Sequence, residues 1–157
     1  MIIGVISDTH RNLYFISELQ DIFKNCDKII HLGDNLSDAE ELKEYFKCPI
    51  LNVRGNCDFT RTVPSERIEI IEGKKVFLTH GHEYDVKWHM NALTYKAREV
   101  GADIVLFGHT HSSMAECVDN VWYVNPGSPS LPRDGRKTVA IIEIKNGMVQ
   151  VSIRGIK

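Results

Sequence analysis

The segment ADIVLFGHTHSS, residues 102–113, joins an apolar run to a pair of histidines. The run at residues 104–107 is typical of a buried strand, which Gly108 ends. Side chains two residues apart in an extended chain point to the same side, so His109 and His111 would project into one small volume. A surface loop with two unrelated histidines would show the same local pattern, and the other strands decide between these interpretations.

The first half of the chain alternates strands and helices. Apolar runs predict strands at residues 2–7, 28–32 and 50–53. A helix between the first two is predicted by apolar residues that share one face: Phe15, Ile16, Leu19, Ile22 and Phe23. Ser37 and Glu40 have the spacing of a capping box, which predicts a second helix that continues through Leu42, Tyr45 and Phe46. This β-α-β-α-β order predicts parallel strands joined by crossover helices.

The second half is richer in strands. The stretch RIEIIEGKKVFLTH, residues 67–80, predicts two strands about a turn at Glu72 and Gly73. A third helix ending near Gly101 is predicted by residues on one face: Val86, Met90, Leu93, Ala97 and Val100. Short strands are expected at residues 114–118 and 121–124, followed by a hairpin that turns at residues 145–147. We therefore expect one α/β domain, residues 1–157, that carries two sheets.

Composition narrows the class of protein. With 43% apolar and 25% charged residues and a net charge of −2, the chain is typical of soluble domains and gives no general reason to expect nucleic acid or an anionic membrane as partner. It begins without the basic and long apolar segments of a signal peptide, and no apolar run is long enough to span a membrane. Four cysteines without C-x-x-C spacing suggest free thiols and a cytoplasmic location. The oligomeric state stays open.

Five predicted strands end in residues that can bind a metal ion. These residues are Asp8 and His10, then Asp34, Asn56, His80, and finally His109 and His111. The carboxyl ends of strands line the ligand crevice of open α/β sheets, so the seven side chains are expected to converge. Seven oxygen and nitrogen donors exceed the needs of one catalytic ion but suit two ions that share a bridging carboxylate.

Simpler interpretations account for single residues but not for the whole set. An isolated aspartate after a strand usually caps a helix, which could apply to Asp8 or to Asp34 alone. The same explanation does not cover five strand ends at once. His31 and His89 fall outside the pattern, and we interpret them as core or surface histidines.

The strand-end residues form short blocks in a fixed order: Asp8-Thr9-His10, Gly33-Asp34, Gly55-Asn56-Cys57-Asp58, His80 and Gly108-His109-Thr110-His111. This order resembles the calcineurin-like metallophosphoesterase superfamily. The short chain, together with the segments GNCD, THGH, GHTH and NPGS, narrows the resemblance to small bacterial and archaeal phosphodiesterases of the YfcE type. The resemblance implies a two-layered β-sandwich flanked by helices, with a dinuclear metal site at its edge.

The resemblance also implies a division of the ligands between two metal ions. Asp8, His10 and His111 would hold the first ion, while Asn56, His80 and His109 would hold the second. The carboxylate of Asp34 would bridge them. Donors without thiolate suit transition metals, and we expect manganese first, with nickel, cobalt, iron and zinc left open. Two such cations would convert a bridging water to hydroxide that attacks a small phosphodiester, so no protein nucleophile is required.

Cys57 stands where the wider family has a histidine that can protonate the leaving alkoxide. A neutral thiol is a weaker general acid than imidazolium, so we expect a preference for good leaving groups such as aryl phosphodiesters. Cys57 itself or His82 could still supply the proton, and Cys57 could equally be filling space. His82, with Asn56, is also a candidate substrate contact. The NPGS segment, residues 125–128, is interpreted as a structural turn.

Other classes of function are less consistent with the sequence. A serine hydrolase would need G-x-S-x-G and a P-loop kinase G-x-x-x-x-G-K-[ST], and the chain has neither. The retromer scaffold subunit resembles this subgroup but lacks part of the ligand set, whereas every ligand type is present here. A metal-dependent phosphodiesterase is therefore favoured over a protein-interaction scaffold. Phosphomonoesterase activity remains open, and the lack of an obvious cap insertion favours small diesters over nucleic acid.

Overall fold

Two five-stranded β-sheets pack face to face in the computed structural model, which describes all 157 residues. The first contains β1 (Ile2–Ile6), β2 (Lys28–His31), β3 (Ile50–Asn52), β9 (Thr138–Lys145) and β10 (Met148–Gly155), in the spatial order β10-β9-β1-β2-β3. The second contains β4 (Glu66–Ile71), β5 (Lys74–Thr79), β6 (Ile104–Leu106), β7 (Ser113–Val118) and β8 (Val121–Pro126), in the order β4-β5-β6-β8-β7. The helices are α1 (Ile16–Phe23), α2 (Leu36–Leu42), α3 (Asn91–Val100) and a 3-10 turn at His82–Tyr84.

The parallel strands predicted for the first half are confirmed, and the second sheet also contains parallel strands, which the sequence analysis did not predict. β1, β2 and β3 run parallel in the first sheet, and β5, β6 and β8 run parallel in the second. The central strands consequently end at a common edge in each sheet. The two-sheet sandwich flanked by helices is therefore the observed fold.

The core lies between the sheets, and each sheet carries helices on its outer face. In β1, Ile3 and Val5 point into the apolar cluster shared by the two sheets, because alternate side chains of a strand face opposite sides. Ile6 instead packs with Leu19 and Phe23 of α1. On the far side, Leu93 and Ala97 of α3 cover the second sheet. None of these helices is long and apolar enough to cross a membrane.

The second helix differs from its prediction at both ends. It begins at Leu36 after an extended Asn35, and no side chain caps it, so the capping box assigned to Ser37 is wrong. The reason is tertiary, since the Leu36 N–H donates to the carboxylate of Asp58, 2.9 Å away, in another loop. The helix ends at Leu42 instead of continuing to Phe46. In residues 43–45, backbone N–H groups donate to carbonyls three residues earlier, as in a 3-10 turn, and not four residues earlier as in an α-helix.

The third helix and the terminal hairpin lie where they were predicted, but the helix begins only at Asn91, after Val86 and Met90, and Lys145 belongs to β9 and not to the turn. Gly101 ends α3 with a φ of 65°, a left-handed conformation that glycine adopts readily. Val86 precedes the helix but packs in the same apolar cluster. Lys145 pairs with Met148, which leaves a two-residue turn with positive φ at both positions, as a type I′ hairpin requires.

Candidate metal centre

The loops that follow β1, β2, β5 and β6 meet at one edge of the sandwich, and backbone hydrogen bonds join them in pairs. The Asp8 N–H donates to Gly33 O at 3.0 Å, and the His10 N–H donates to Asp34 O at 3.2 Å. On the second sheet, the Gly108 N–H donates to His80 O at 2.9 Å. The parallel strand order thus brings polar residues far apart in sequence to one place.

Left-handed backbone turns direct most of the predicted ligands into this edge. The residues with positive φ include Asp8, His10, Asp34, His109 and His111, with φ between 49° and 69°. Such values are uncommon outside glycine and cost about 1–3 kcal/mol each, so they persist where the surrounding fold imposes them. They also correct the expectation that His109 and His111 lie in an extended segment, because the turns send the two rings toward different ligand groups.

The first ligand group consists of Asp8, His10 and His111, whose candidate donor atoms all lie within 4.8 Å of one another. Asp8 Oδ1 is 3.3 Å from His111 Nε2 and 3.9 Å from His10 Nε2. The two Nε2 atoms are 3.2 Å apart. These are the three residues expected at the first metal ion.

The second ligand group consists of Asp34, His80 and His109, within the same 4.8 Å limit. Asp34 Oδ2 lies 3.4 Å from His80 Nε2 and 3.8 Å from His10 Nε2 of the first group. Asp34 therefore contacts both groups, which is the position expected of a bridging carboxylate. Asp8 Oδ1 is also close to the second group, at 3.7 Å from His80 Nε2.

The two groups fit divalent cations because buried donor atoms in them have no protein partner. Asp8 Oδ1 and His80 Nε2 are buried, and neither atom takes part in a hydrogen bond. A buried polar atom without a partner costs about 1–3 kcal/mol, and a bound cation would remove that cost. The donor set of carboxylate and imidazole is the set that suits transition metals.

Hydrogen bonds at the far side of two rings fix which nitrogen faces the site. His80 Nδ1 lies 2.7 Å from Leu32 O, and His111 Nδ1 lies 2.7 Å from Leu131 O. A carbonyl oxygen only accepts, so each Nδ1 carries the proton and donates it. When the ring is neutral, each Nε2 presents its lone pair to the site, as in metal-binding histidines held by an outer carbonyl.

The charges in the site also suit cation binding. Burial alone would raise the pKa of Asp8, but the close contact with His111 and the charge of His80 outweigh it, so the pKa is lowered. The pKa of Asp34 is lowered in the same way, with burial outweighed by the contact with His80. Burial, and then the charge of His80, lower the pKa of His109 to about 4. Near neutral pH the site thus offers two carboxylates and a neutral imidazole, the forms that bind metals.

Asn56 differs in exposure from the other six predicted ligands, which are buried or half-buried. Its side chain is exposed, and its amide nitrogen donates to Cys57 Sγ over 3.6 Å. The amide oxygen accepts no bond from the protein. Its assignment to the second ion stays a prediction.

Cys57 and His82 both lie beside the ligand groups. The Cys57 N–H donates to Asp34 Oδ1 at 2.9 Å, and its thiol lies in a cluster with His10 and Asp34. Burial and then the Asp34 charge raise the pKa of Cys57 to about 11. His82 packs beside His80, with ring centroids 5.5 Å apart, and its Nδ1 is buried without a partner.

The function of Asp58 was not predicted from the sequence, although the residue belongs to the GNCD segment. The carboxylate accepts the N–H groups of Asp34 (2.8 Å), Gly55 (2.7 Å) and Leu36 (2.9 Å). It thereby fixes the loop that carries Asp34 against the loop that carries Asn56. The position of Asp58 three residues after Gly55 could have suggested a turn-stabilising carboxylate. Its partners in the other loop could not be predicted, because they are brought together only by folding.

Three further residues support the ligand loops from behind. His31 is fully buried, which agrees with its interpretation as a core histidine. Its Nδ1 accepts a hydrogen bond from the Gly33 N–H at 3.1 Å, and its Nε2 lies 3.1 Å from Thr9 Oγ1. His89, outside the pattern, is exposed. In the NPGS segment, Ser128 Oγ donates to Asp8 O at 2.9 Å and Asn125 Nδ2 donates to Gly108 O at 3.0 Å. The structure supports the interpretation of that segment as structural.

Two of the strand-end glycines are required because a side chain there would collide with the ligand groups. A Cβ at Gly108 would lie 2.1 Å from Ser7 Oγ and 2.8 Å from Asp8 Oδ2. A Cβ at Gly55 would lie 2.1 Å from Asp34 Oδ1. The glycine that precedes a ligand in these blocks therefore makes room for the carboxylate of another loop.

This fold and this cluster of carboxylates and imidazoles define a metallophosphoesterase. Residues 1–147 match the calcineurin-like phosphoesterase superfamily domain, and the chain belongs to that superfamily. The family implies divalent metal ions, for which the two ligand groups are the candidate sites.

Relatives from bacteria and archaea agree with this assignment. The chain is 35% identical over 152 residues to a Bacillus subtilis (strain 168) protein named probable metallophosphoesterase YsnB, covering 94% of this chain and 86% of that one. It is 31% identical over 161 residues to phosphodiesterase MJ0936 of Methanocaldococcus jannaschii, covering 91% and 93%. The names of these relatives thus support phosphoesterase activity for the superfamily to which the chain belongs.

Solved structures show the same fold. A conserved protein of Streptococcus pneumoniae TIGR4, described as a predicted phosphoesterase, superposes with a TM-score of 0.82 at 30% identity, over 98% of this chain and 88% of that one. Vps29 of Entamoeba histolytica, complexed with Zn²⁺, superposes with a TM-score of 0.79 at 20% identity, over 99% of both chains. The second likeness concerns the fold alone.

Proposed function

We propose that the protein hydrolyses small phosphodiesters and depends on two divalent transition-metal ions, with manganese expected first. The observation that carries the proposal is a pair of buried atoms without hydrogen-bond partners. Asp8 Oδ1 belongs to the first ligand group and His80 Nε2 to the second. Such atoms are destabilising without a cation. Phosphodiesterase MJ0936 supports the choice of substrate class.

Seven side chains of this protein would hold the two ions. Asp8, His10 and His111 are proposed for one ion, Asn56, His80 and His109 for the other, and Asp34 for both. When bound, two such cations supply Lewis acidity, which lowers the pKa of water and neutralises phosphoryl charge.

The remaining residues of the site orient this set and contact the substrate. Asp58 and Ser128 fix the ligand loops through backbone groups. Asn56 and His82 are proposed as substrate contacts, and Cys57 or His82 as the group that faces the leaving oxygen. Residues 1–157 act as one domain in this proposal, and the four free thiols suit the cytoplasm.

The test is hydrolysis of bis-p-nitrophenyl phosphate by chelated protein to which Mn²⁺, Ni²⁺, Co²⁺, Zn²⁺ or Mg²⁺ is returned, with p-nitrophenyl phosphate in parallel. We expect metal-restored cleavage that is faster on the diester. Asp34→Ala should lose both bound ions and the activity together.

Three results would contradict the proposal. Faster cleavage of the monoester would make the protein a phosphomonoesterase. Two bound ions per chain without any turnover would favour the protein-interaction scaffold. Full activity in Asp34→Ala would remove the bridging assignment.

A further inference from the structure

An open groove of about 280 Å³ lies directly beside the candidate metal centre. Its lining includes Arg11, Leu36, Cys57 and Phe59. Cys57 connects it to the centre, because the same thiol lies in the cluster with His10 and Asp34. A molecule whose phosphate reaches the metal centre could therefore extend its remaining part into this groove.

Phe59 lies at the open edge of this groove, and its side chain extends into solvent. Its exposed fraction is 100%, so the ring contributes nothing to the core. The neighbouring loop is nevertheless fixed: the Asp58 carboxylate binds three backbone N–H groups, and Arg54 donates to Val63 O at 2.9 Å. An aromatic ring held out on an anchored loop is available for stacking, and covering it would release about 1.5–3 kcal/mol of apolar contact.

The groove also carries a cation, Arg11, that forms no salt bridge with the carboxylate in its lining. Asp58 is the one carboxylate of the lining, and its oxygens are occupied by backbone donors. Arg11 follows the ligand His10 directly and forms no salt bridge. Its N–H donates to buried Asp38 at 2.9 Å, which fixes its left-handed backbone. The groove thus combines an exposed ring with a cation close to the phosphate position.

We propose that this groove binds the base of a nucleotide substrate, with Phe59 stacked on the base and Arg11 paired with the phosphate. The inference rests on the proposed function, since it places the phosphate at the metal centre. Stacking on an aromatic side chain contributes about 1–3 kcal/mol per base, and an arginine beside phosphate forms strong charge-assisted bonds. The substrate class becomes small nucleotide diesters.

The test is calorimetric binding of AMP and of ribose 5-phosphate, which share sugar and phosphate, to the manganese-loaded protein. We expect AMP to bind more tightly. Phe59→Ala should weaken AMP about 5- to 30-fold and leave ribose 5-phosphate unchanged, whereas Phe59→Trp should retain AMP. Arg11→Ala should weaken both ligands by a similar factor. Tyr95→Ala, which removes an exposed aromatic ring from α3 outside the groove, should change neither.

Equal affinity of the two ligands for the unaltered protein, or an equal loss of both in Phe59→Ala, would overturn the groove as a base site. Hydrolysis of bis-p-nitrophenyl phosphate by the same preparations separates this inference from the proposed function. AMP binding that depends on Phe59 without turnover would support the groove while the proposed function fails. Turnover without any preference for AMP would overturn the groove and leave the proposed function intact.

Discussion

At the scale of single residues, Asp58 determines whether the ligand loops keep their places. Asp58→Asn replaces one accepting oxygen with an amide NH₂ group that faces donors from Asp34, Gly55 or Leu36. We expect the free energy of unfolding to fall by about 1–3 kcal/mol and metal affinity to fall about 10- to 100-fold. Thermal unfolding and calorimetric metal titration measure the two effects.

Asp27→Asn is the matched control for this substitution, because Asp27 also accepts a backbone N–H, that of Ile2 at 2.6 Å, but outside the ligand loops. It should leave metal affinity unchanged. Equal metal affinity in Asp58→Asn and the unaltered protein would show that the Asp58 contacts are dispensable for the site.

The burial of His31 should make the stability of the metal-free protein sensitive to acid. Burial lowers its pKa from 6.5 to about 4, against an opposing effect of Asp38. The unfolded chain therefore takes up this proton at a higher pH than the folded chain, so stability falls as pH drops below about 6.5 and continues to fall until about 4. Between pH 7 and pH 5 the loss from this group is about 2 kcal/mol.

Urea unfolding of the protein and of His31→Gln at pH 7 and pH 5 measures this contribution. Glutamine can both accept the Gly33 N–H and donate to Thr9, but it does not titrate. The variant should lose about 2 kcal/mol less on acidification than the unaltered protein. Identical losses in both proteins would exclude His31 as the source.

At the scale of the elements, the loop after β6 depends on the absence of a side chain at Gly108. Gly108→Ala would place a Cβ against Ser7 and Asp8, so the loop has to move. We expect at least a tenfold loss of metal affinity and a loss of about 1–3 kcal/mol in stability. Gly155→Ala in β10 is the control, because its Cβ meets nothing within 4 Å. Similar metal affinity in both variants would contradict this account.

The strands and their common edge could be predicted from sequence because each depends on a local apolar run and its order along the chain. The start of α2 could not, because its first N–H groups are satisfied by Asp58 from a different loop and not by the nearby Ser37. The ligand directions could not be predicted for a similar reason. Positive φ at His109 and His111 is imposed by packing between loops and has no local sequence signal.

At the scale of the whole molecule, the two sheets each supply part of the site. Asp8, His10 and Asp34 follow strands of the first sheet, and His80, His109 and His111 follow strands of the second. A cation bound between them binds the folded state and not the unfolded chain. Free Mn²⁺ at 100 times its dissociation constant should therefore stabilise the protein by about 2.7 kcal/mol per site.

Thermal unfolding with and without Mn²⁺ tests this coupling of metal and fold. The melting temperature should rise with metal concentration and return to its starting value on chelation. Asp34→Ala should show little of the rise, since it removes the carboxylate that contacts both ligand groups. A melting temperature indifferent to Mn²⁺ would mean that the cation does not bind between the sheets.

The division of the site between distant segments sets an order of events during synthesis. The ribosome delivers Asp8 and Asp34 first, and His111 and the carbonyl of Leu131 that orients it follow much later. β9, which pairs with β1 in the centre of the first sheet, is made later still. A nascent chain that lacks these segments therefore cannot assemble the complete ligand set, so metal binding at full affinity must follow the synthesis of β9.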